Sequence, residues 1–284
     1  MARPLEGKSI LLTGATEGIG KAAALELARR GALLTIVGRN PEKTERVARE
    51  LEVAGGTRPE VLLGDLSRLA DIRAVAAAYR QKHDRLDVLA NNAGGLYQTH
   101  QLSADGFEMT FALNHLSYFL LTRELLELLR KAPGARVVST SSHAHFRGKP
   151  DVEDWAKRPS GRAGFDVYGA TKLANILFTR ELSRRLQGTG VTANCFHPGF
   201  VATGFGMNNG PIARFVIGAA MALVARTPEK GAETLVYLAA SPDCAAVTGE
   251  YWMDCKTARR SRHAMDDALA AQLWALSEEA CGAS

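Results

Sequence analysis

The sequence predicts one doubly wound α/β domain: a parallel sheet of about seven strands with helices on both faces. Short apolar runs alternate with longer helical runs, the first apolar run leads into a glycine-rich turn, and no linker, repeat or low-complexity segment divides the 284 residues. Hydrophobic residues make up 46% and charged residues 23% of the chain, as in globular proteins with a large core. A single domain is therefore expected over residues 1–284.

The predicted elements alternate between strand and helix in chain order. The strands are residues 9–12, 33–37, 60–64, 86–90, 136–140, 191–196 and 249–253. The helices are residues 21–30, 41–54, 68–82, 106–131, 167–186, 227–239 and 264–280. Parallel sheets of this kind bind ligands at the carboxyl ends of their strands. The segments that carry chemistry directly follow strands one, two, four, five and six.

Charge and composition exclude several classes of function. The net charge is +5, but the basic residues are spread along the chain, and the cluster Arg259, Arg260 and Arg262 is interpreted as solvated surface. We therefore expect no nucleic-acid partner. The four cysteines have neither metal-type spacing nor a paired framework, which indicates a reducing, cytoplasmic compartment.

The sequence also predicts no membrane residence. The first eight residues contain no apolar signal core, and no stretch approaches the roughly 20 apolar residues that span a bilayer. The most apolar late stretch, residues 215–225, is shorter than that and is expected to cover a pocket or a partner surface.

A glycine-rich loop follows the first strand, with the sequence Thr13-Gly14-Ala15-Thr16-Glu17-Gly18-Ile19-Gly20. Glycines at such a turn allow close approach of the backbone to a pyrophosphate, and the N-terminus of the next helix attracts phosphate. The spacing is Gly-x-x-x-Gly-x-Gly rather than Gly-x-Gly-x-x-Gly, and an ordinary strand-to-helix turn is the alternative. The strand before it and the helix after it favour a dinucleotide site of the Rossmann type.

The residues at the end of the second strand indicate whether the site prefers NAD or NADP. Gly38 stands where an NAD-selective site usually has an acidic residue, and Arg39 follows it. A guanidinium can bind the 2′-phosphate of NADP through a forked contact. Glu17 counts against NADP, because its carboxylate lies inside the glycine loop and could repel a phosphate. The alternative for Arg39 is an ordinary surface arginine after a strand. After strand three, Asp65 could accept a bond from the adenine amino group or could cap the following helix.

Tyr168 and Lys172 are four residues apart in a predicted helix, so their side chains share one face. A phenol has a pKa of about 10 and is a poor acid–base group at neutral pH, but a neighbouring ammonium lowers that pKa. The pair can then exchange a proton with an alcohol or carbonyl oxygen. A solvated helix face is the alternative for the pair in isolation.

Together these residues resemble the short-chain dehydrogenase/reductase family over about residues 7–276. The resemblance is carried by residues 13–20, Asp65, the run Asn91-Asn92-Ala93-Gly94, Asn114, Ser141-Ser142, Tyr168 with Lys172, and His197-Pro198-Gly199. Residues 114–122, 172–182 and 249–255 resemble the retinol-dehydrogenase-like branch. Many members of that branch carry a membrane anchor, which is not found in this sequence.

The resemblance implies roles for individual residues. Tyr168 would be the general acid–base, and Lys172 would lower the pKa of Tyr168 and bond the nicotinamide ribose. Asn114 would hold a water that relays protons to Lys172. Ser142 would bond the substrate oxygen, with Ser141 as the alternative. The residues implied to bind NADP(H) are Gly14, Thr16, Gly18, Ile19, Gly20, Arg39, Asp65, Leu66, Asn91, Ala93, Gly94, Tyr168, Lys172, Pro198, Gly199 and Thr203.

The substrate pocket is expected near residues 143–166 and 200–226. Trp155 and Phe165 are interpreted as packing residues or substrate contacts, and apolar residues 205–224 favour a lipophilic ketone, aldehyde, steroid or retinoid. His143 and His145 do not make a metal site without a third ligand, and His197 is interpreted as structural.

The predicted function is that of an NADP-dependent oxidoreductase acting on an alcohol and its carbonyl. A catalytically silent NADP-binding regulator and a nucleotide-sugar epimerase or dehydratase are the alternatives. The resemblance also implies a homodimer or homotetramer formed through the helices at residues 106–131 and 167–186.

Overall fold

The computed structural model describes residues 3–151, 164–201 and 226–282, and its strands form a single sheet. The strands are β1 (Ser9–Thr13), β2 (Leu33–Gly38), β3 (Glu60–Leu63), β4 (Val88–Asn91), β5 (Arg136–Thr140), β6 (Thr192–His197), β7 (Tyr251–Met253) and β8 (Lys256–Thr257). Their order is β3-β2-β1-β4-β5-β6-β7-β8, and all neighbours except β7 and β8 are parallel. The predicted doubly wound α/β architecture is thereby confirmed.

Helices cover both faces of the sheet. They are α1 (Gly18–Arg29), α2 (Pro41–Gly55), α3 (Leu69–Lys82), α4 (Met109–Phe111), α5 (Ser117–Lys131), α6 (Phe165–Arg185), α7 (Pro228–Ala240) and α8 (Asp267–Ala280). One core cluster joins β1 and β2 to α1, α2 and α7, and the other joins the sheet to α3, α5, α6 and α8. Because both faces are covered, the central strands β1, β4 and β5 are buried along nearly their whole length rather than on alternate residues.

The sheet has eight strands, so the prediction of about seven is corrected. The additional strand β8 pairs antiparallel with β7 after a tight turn in which Asp254 and Cys255 have φ angles of 51° and 58°. A two-residue turn with both φ angles positive matches the twist of a hairpin, but it is usually marked by Asn-Gly or Asp-Gly. Neither residue is glycine here, and a strand of two residues has no periodicity to reveal it.

The single helix predicted at residues 106–131 is divided. Gly106 has a φ of 83° and lies in a turn, and α4 begins only after Glu108, whose carboxylate accepts a hydrogen bond from Phe111 N at 2.8 Å. A π-helical turn, Ala112–Leu116, then connects α4 to α5. Such turns occur mostly as single insertions in α-helices and are frequent at functional sites. Asn114 lies in this turn.

The C-terminal helix α8 packs against α6 and α5. Trp274 stacks on Phe178 with ring centroids 6.0 Å apart, and the guanidinium of Arg185 lies 4.3 Å from the Trp274 ring centroid. Part of the helical surface that sequence analysis assigned to a partner subunit is therefore covered by the chain itself.

Several sequence predictions fall outside the described residues, namely those for Trp155, Thr203 and residues 205–224 and 215–225. Within the described ranges, none of the helices has the length and apolar character needed to cross a bilayer. All four cysteines are free thiols.

Candidate active site

A cavity of about 820 Å³ runs along the carboxyl edge of the sheet. It begins at the glycine loop after β1, passes the ends of β2, β3 and β4, and reaches the ends of β5 and β6 and the first turns of α6. Tyr168 and Lys172 thus line the same cavity as Gly14 and Gly18. The two motifs that sequence analysis singled out are brought together in one site.

The glycine loop packs too closely for side chains at two positions. A Cβ on Gly20 would lie 2.0 Å from Gly14 O, and a Cβ on Gly14 would lie 2.7 Å from Ala93 Cα, with Gly14 at a φ of 68°. Glu17 is the N-cap of α1, but its side chain makes no capping hydrogen bond. The first turn of α1 therefore offers N–H groups to an anion in the cavity.

Thr13 and Asn92 fix the strand ends beneath this loop. Thr13 Oγ1 accepts hydrogen bonds from Asn92 N (2.9 Å) and Ala93 N (3.0 Å), and Asn92 Nδ2 donates to Thr13 O (3.1 Å). Asn92 Oδ1 accepts from Thr140 Oγ1 at 3.2 Å. The carboxyl ends of β1, β4 and β5 are thus tied together, and sequence analysis had assigned no role to either side chain.

Of the two consecutive asparagines, Asn92 lines the cavity and Asn91 does not. Asn91 is buried, and its Nδ2 donates to Thr122 Oγ1 in α5 at 3.0 Å. The Asn91 side chain, on the last residue of β4, therefore points toward the helical layer, and a role of Asn91 in lining the cofactor stays a prediction. Ala93, Gly94, Leu66, Pro198 and Gly199 line the cavity as expected.

Arg39 lies at the end of β2 and lines the cavity with 68% of its side chain exposed. Its guanidinium is 3.6 Å from Oδ2 of Asp65, and Oδ1 of Asp65 accepts bonds from Ser67 N (3.0 Å) and Ser67 Oγ (2.7 Å). Burial alone would raise the pKa of Asp65, but the bonds from Ser67 and the charge of Arg39 outweigh it and hold that pKa below its usual value. Asp65 lines the cavity, but the alternative that it caps α3 is corrected, because the N-cap of α3 is Arg68 and the Asp65 carboxylate accepts from Ser67 instead.

Glu17 also lines the cavity, but its charge is countered. Its carboxylate forms an ion pair with Lys43, in the first turn of α2. Since this pair neutralises the acid inside the glycine loop, the repulsion that Glu17 would exert on a phosphate is reduced. Sequence analysis did not identify Lys43, because it lies 26 residues after its partner.

The catalytic candidates converge at the other end of the cavity. Lys172 Nζ lies 5.3 Å from the Tyr168 ring centroid and donates to Thr140 O at 3.2 Å. Ser142 forms a hydrogen bond with the Tyr168 side chain. Ser141 is buried, and its hydroxyl donates to Lys172 O at 2.7 Å. Ser142 rather than Ser141 is therefore placed beside the phenol.

Burial dominates the electrostatics of this group. It lowers the pKa of Lys172 to about 7. It raises the pKa of Tyr168 above the usual value, with the hydrogen bond to Ser142 acting in the opposite direction. The expected lowering of the phenol pKa by Lys172 is therefore corrected: burial drives both groups toward their neutral forms.

Asn114 lies behind the catalytic group and connects the loop after β4 to α6. Its Oδ1 accepts from Gly95 N (2.8 Å), while its Nδ2 donates to Gly95 O (2.9 Å) and to Thr171 Oγ1 (3.1 Å). It is fully buried beside Lys172 but does not line the cavity. Its side chain therefore holds Gly95 next to the residue that precedes Lys172.

The outer end of the cavity is aromatic. Phe146, Phe165 and Phe200 line it with 41, 47 and 56% of their surface exposed, and the Arg147 guanidinium lies 6.0 Å from the Phe165 ring centroid. Phe165 thus lines the cavity with about half of its surface exposed.

Three histidines lie near one another in this region. His143 lies 6.5 Å from His145 and 6.0 Å from His197 between ring centroids, and His143 and His197 line the cavity. Burial lowers the pKa of His197 to about 4. Among residues 3–151, 164–201 and 226–282, no three His, Cys, Asp or Glu side chains form a group that could hold a metal ion.

Comparisons with known proteins agree with this geometry. The family model for short chain dehydrogenases matches residues 8–211. Retinol dehydrogenase 14 of Mus musculus is 41% identical over 98% of this chain and 87% of its own length. Human retinol dehydrogenase 13 is 39% identical over 98% of this chain and 86% of its own length.

A solved structure gives the same assignment at the level of the fold. The Pseudomonas aeruginosa RhlG/NADP active-site complex is 28% identical and has a TM-score of 0.69, over 88% of this chain and 95% of that chain. With the sheet order, the Tyr168–Lys172 pair and the matched family model all in agreement, the chain belongs to the short-chain dehydrogenase/reductase family, in its retinol-dehydrogenase-like branch.

Proposed function

We propose that the protein is an NADP-dependent oxidoreductase that interconverts a lipophilic alcohol and its carbonyl compound. The observation that carries the proposal is the single cavity in which Tyr168, Lys172 and Ser142 lie at one end and the glycine loop lies at the other. A bound nicotinamide cofactor would supply the hydride chemistry. The protein would supply orientation and proton exchange.

The cofactor end of the cavity fits a dinucleotide phosphate. The uncapped first turn of α1 provides N–H donors, and the close packing of Gly14 against Ala93 removes side chains from the path of the backbone. Arg39 at the end of β2 presents an exposed guanidinium. Arg39 and Asp65 would hold the adenosine end, and Lys172 the nicotinamide end.

At the substrate end, Tyr168 is proposed to give its proton to the carbonyl oxygen. A phenol whose pKa is raised by burial is fully protonated at neutral pH and is therefore available as an acid. Ser142, hydrogen-bonded to Tyr168, would orient the same oxygen. Phe146, Phe165 and Phe200 would contact the apolar part of the substrate, which favours a lipophilic ketone, aldehyde, steroid or retinoid over a small hydrophilic one.

A panel of carbonyl and alcohol substrates, followed at the nicotinamide absorbance, tests the proposal. We expect turnover of at least one aromatic or polyene carbonyl compound with NADPH and none with short hydrophilic aldehydes. Cofactor binding without turnover of any panel member, in both directions, would instead support the catalytically silent regulator.

The choice between NADPH and NADH should depend on Arg39. A charge-assisted bond to the 2′-phosphate contributes roughly 1.5–3 kcal/mol, or about tenfold to a hundredfold in affinity. The ion pair between Lys43 and Glu17 keeps the acid in the loop from reducing this preference. We therefore expect NADPH to be preferred by at least about tenfold in kcat/KM, and the preference to fall sharply in Arg39→Ala.

In Arg39→Ala, the loss of kcat/KM with NADPH should appear mainly as a higher KM for NADPH, because the adenosine end of the cofactor is remote from Tyr168. Initial rates at saturating carbonyl substrate measure this KM. Arg49→Ala is a matched control, since Arg49 is an exposed arginine of α2 that pairs with Glu45 and does not line the cavity. Equal use of both cofactors by the unsubstituted protein would mean that Arg39 has no role in the choice.

A further inference from the structure

A chain of buried polar side chains extends from the lysine to the C-terminal helix. Asn175, one turn after Lys172 in α6, donates from Nδ2 to Thr140 O (3.1 Å) and to Asn114 O (2.9 Å). Thr140 O is also the acceptor for Lys172 Nζ. Asn175 and Lys172 therefore share one carbonyl oxygen, and Asn175 holds the π-helical turn at the same time.

His115 continues this chain. Its Nδ1 lies 3.4 Å from Asn175 Oδ1, and its Nε2 lies 2.9 Å from Ser277 Oγ in α8. His115, Asn175 and Ser277 are all completely buried. The proposed chemistry uses none of these three side chains, although His115 and Asn175 lie in two of the stretches that resemble the retinol-dehydrogenase-like branch.

The hydrogen bonds determine the tautomer of His115. Both Nδ2 protons of Asn175 are directed at carbonyl oxygens, so its Oδ1 must accept, and Nδ1 of His115 must carry the proton. Burial lowers the pKa of His115 to about 4, so the ring is neutral at physiological pH and Nε2 is an acceptor.

The Ser277 hydroxyl completes the assignment. It lies 2.7 Å from Leu273 O and 2.9 Å from His115 Nε2, and its single proton bonds one of them at a time. Leu273 O belongs to a turn of α8, where the main-chain N–H of Ser277 is its regular partner. The hydroxyl proton is therefore free to satisfy Nε2, which no other described group reaches.

We infer that His115 is a positioning residue for Lys172, which it serves by holding the Asn175 amide in the orientation that fixes Thr140 O beneath the lysine ammonium. An Asn175 amide without this bond could rotate by half a turn, and both carbonyl oxygens, Asn114 O and Thr140 O, would then face the amide oxygen instead of a donor. Thr140 O would then lose a hydrogen bond in a buried position, and it is the same oxygen that accepts from Lys172. The inference rests on the proposed function only for its kinetic test.

The kinetic test compares three variants with the unsubstituted protein. His115→Leu removes both ring nitrogens, and we expect kcat to fall at least tenfold while the KM for the carbonyl substrate stays within threefold. His115→Asn keeps a donor close to the place of Nδ1, and we expect it to recover most of the lost kcat.

Thr179→Val is the matched control for lost stability. Thr179 is buried one turn after Asn175, and its hydroxyl donates to Asn175 O at 2.7 Å without touching the shared carbonyl. Thr179→Val should lower the midpoint of thermal unfolding about as much as His115→Leu does, but it should leave kcat within about twofold. A His115→Leu enzyme with unchanged kcat, or a His115→Asn enzyme no better than His115→Leu, would overturn the inference.

A second measurement does not depend on activity. In protein labelled with ¹⁵N-histidine, His115 should show a protonated Nδ1 and an unprotonated Nε2 from pH 5.5 to 8, and Ser277→Ala should shift the Nε2 resonance. A protonated Nε2, or a ring that titrates near pH 6.5, would refute the assignment of donors even if the protein turned over no substrate. Absence of turnover with the predicted tautomer intact would instead count against the proposed function alone.

Discussion

Tyr168→Phe should lower kcat by about a hundredfold or more while leaving the affinity for NADPH within threefold. The substitution removes only the phenolic O–H that lies beside Ser142 and above Lys172. Positioned proton transfer contributes about 10²- to 10⁴-fold to a rate, so the loss should appear in kcat and kcat/KM together. Single-turnover rates and a fluorescence titration of NADPH measure the two quantities separately.

Tyr118→Phe is a closely matched control for this experiment. Tyr118 is at least as deeply buried as Tyr168, and its ring centroid lies 6.0 Å from Lys172 Nζ. It does not line the cavity. We expect kcat of Tyr118→Phe to stay within about threefold. Equal losses in the two variants would show that removal of any buried hydroxyl near the lysine disturbs the site, and that Tyr168 is not the acid.

The sequence predicted the regular elements well because their apolar runs are long and are bounded by glycine or polar turns. β5 has the predicted bounds, and the other long strands differ by one or two residues. The first helix begins at Gly18, inside the glycine loop, whereas the pattern placed its start at Lys21. A helix that starts within a turn has no sequence break at its first residue, so the boundary was not visible.

The exact face presented by a strand end was harder to predict. Successive residues of a strand point to opposite faces, so a difference of one residue exchanges the cavity for the core. Asn91 and Asn92 are identical in type, and Asn92, the one placed in the cavity, was not chosen. The same uncertainty applied to Ser141 and Ser142, where the family resemblance favoured Ser142, the residue that contacts Tyr168.

Interactions between distant parts of the chain were not predictable from local patterns. Thr13 and Asn92 are 79 residues apart, and His115 and Ser277 are 162 apart. Each of these residues is unremarkable in its own segment. Only the sheet order and the packing of α8 bring them into contact. The catalytic residues were therefore found through the family resemblance, whereas the polar groups that support them were missed.

Lys172→Met should abolish most activity and yet make the protein more stable at neutral pH. Burial lowers the pKa of Lys172 to about 7, against about 10.4 in an unfolded chain. Between these two values the unfolded chain holds a proton that the folded protein lacks, so the free energy of unfolding rises with pH across this window. Below pH 7 both states are protonated, and the full cost of burying the ammonium remains.

A methionine has similar length and no charge, so that cost disappears. We expect Lys172→Met to be more stable than the unsubstituted protein by roughly 1–3 kcal/mol at pH 6–7, with the difference shrinking as the pH approaches 10. Urea unfolding at pH 6.5, 8 and 9.5 measures the trend. kcat should fall at least about a hundredfold, because the phenol loses the amine that lies 5.3 Å from its ring centroid.

Lys131→Met, at the exposed end of α5, provides the comparison. An exposed lysine should change stability by less than about 0.5 kcal/mol, with no trend over the same pH range. If Lys172→Met were instead less stable at every pH, the ammonium of Lys172 would be stabilised by its contact with Thr140 O despite its burial. Lys172 would then keep its charge through neutral pH, and it would lower the pKa of Tyr168 as the sequence first suggested.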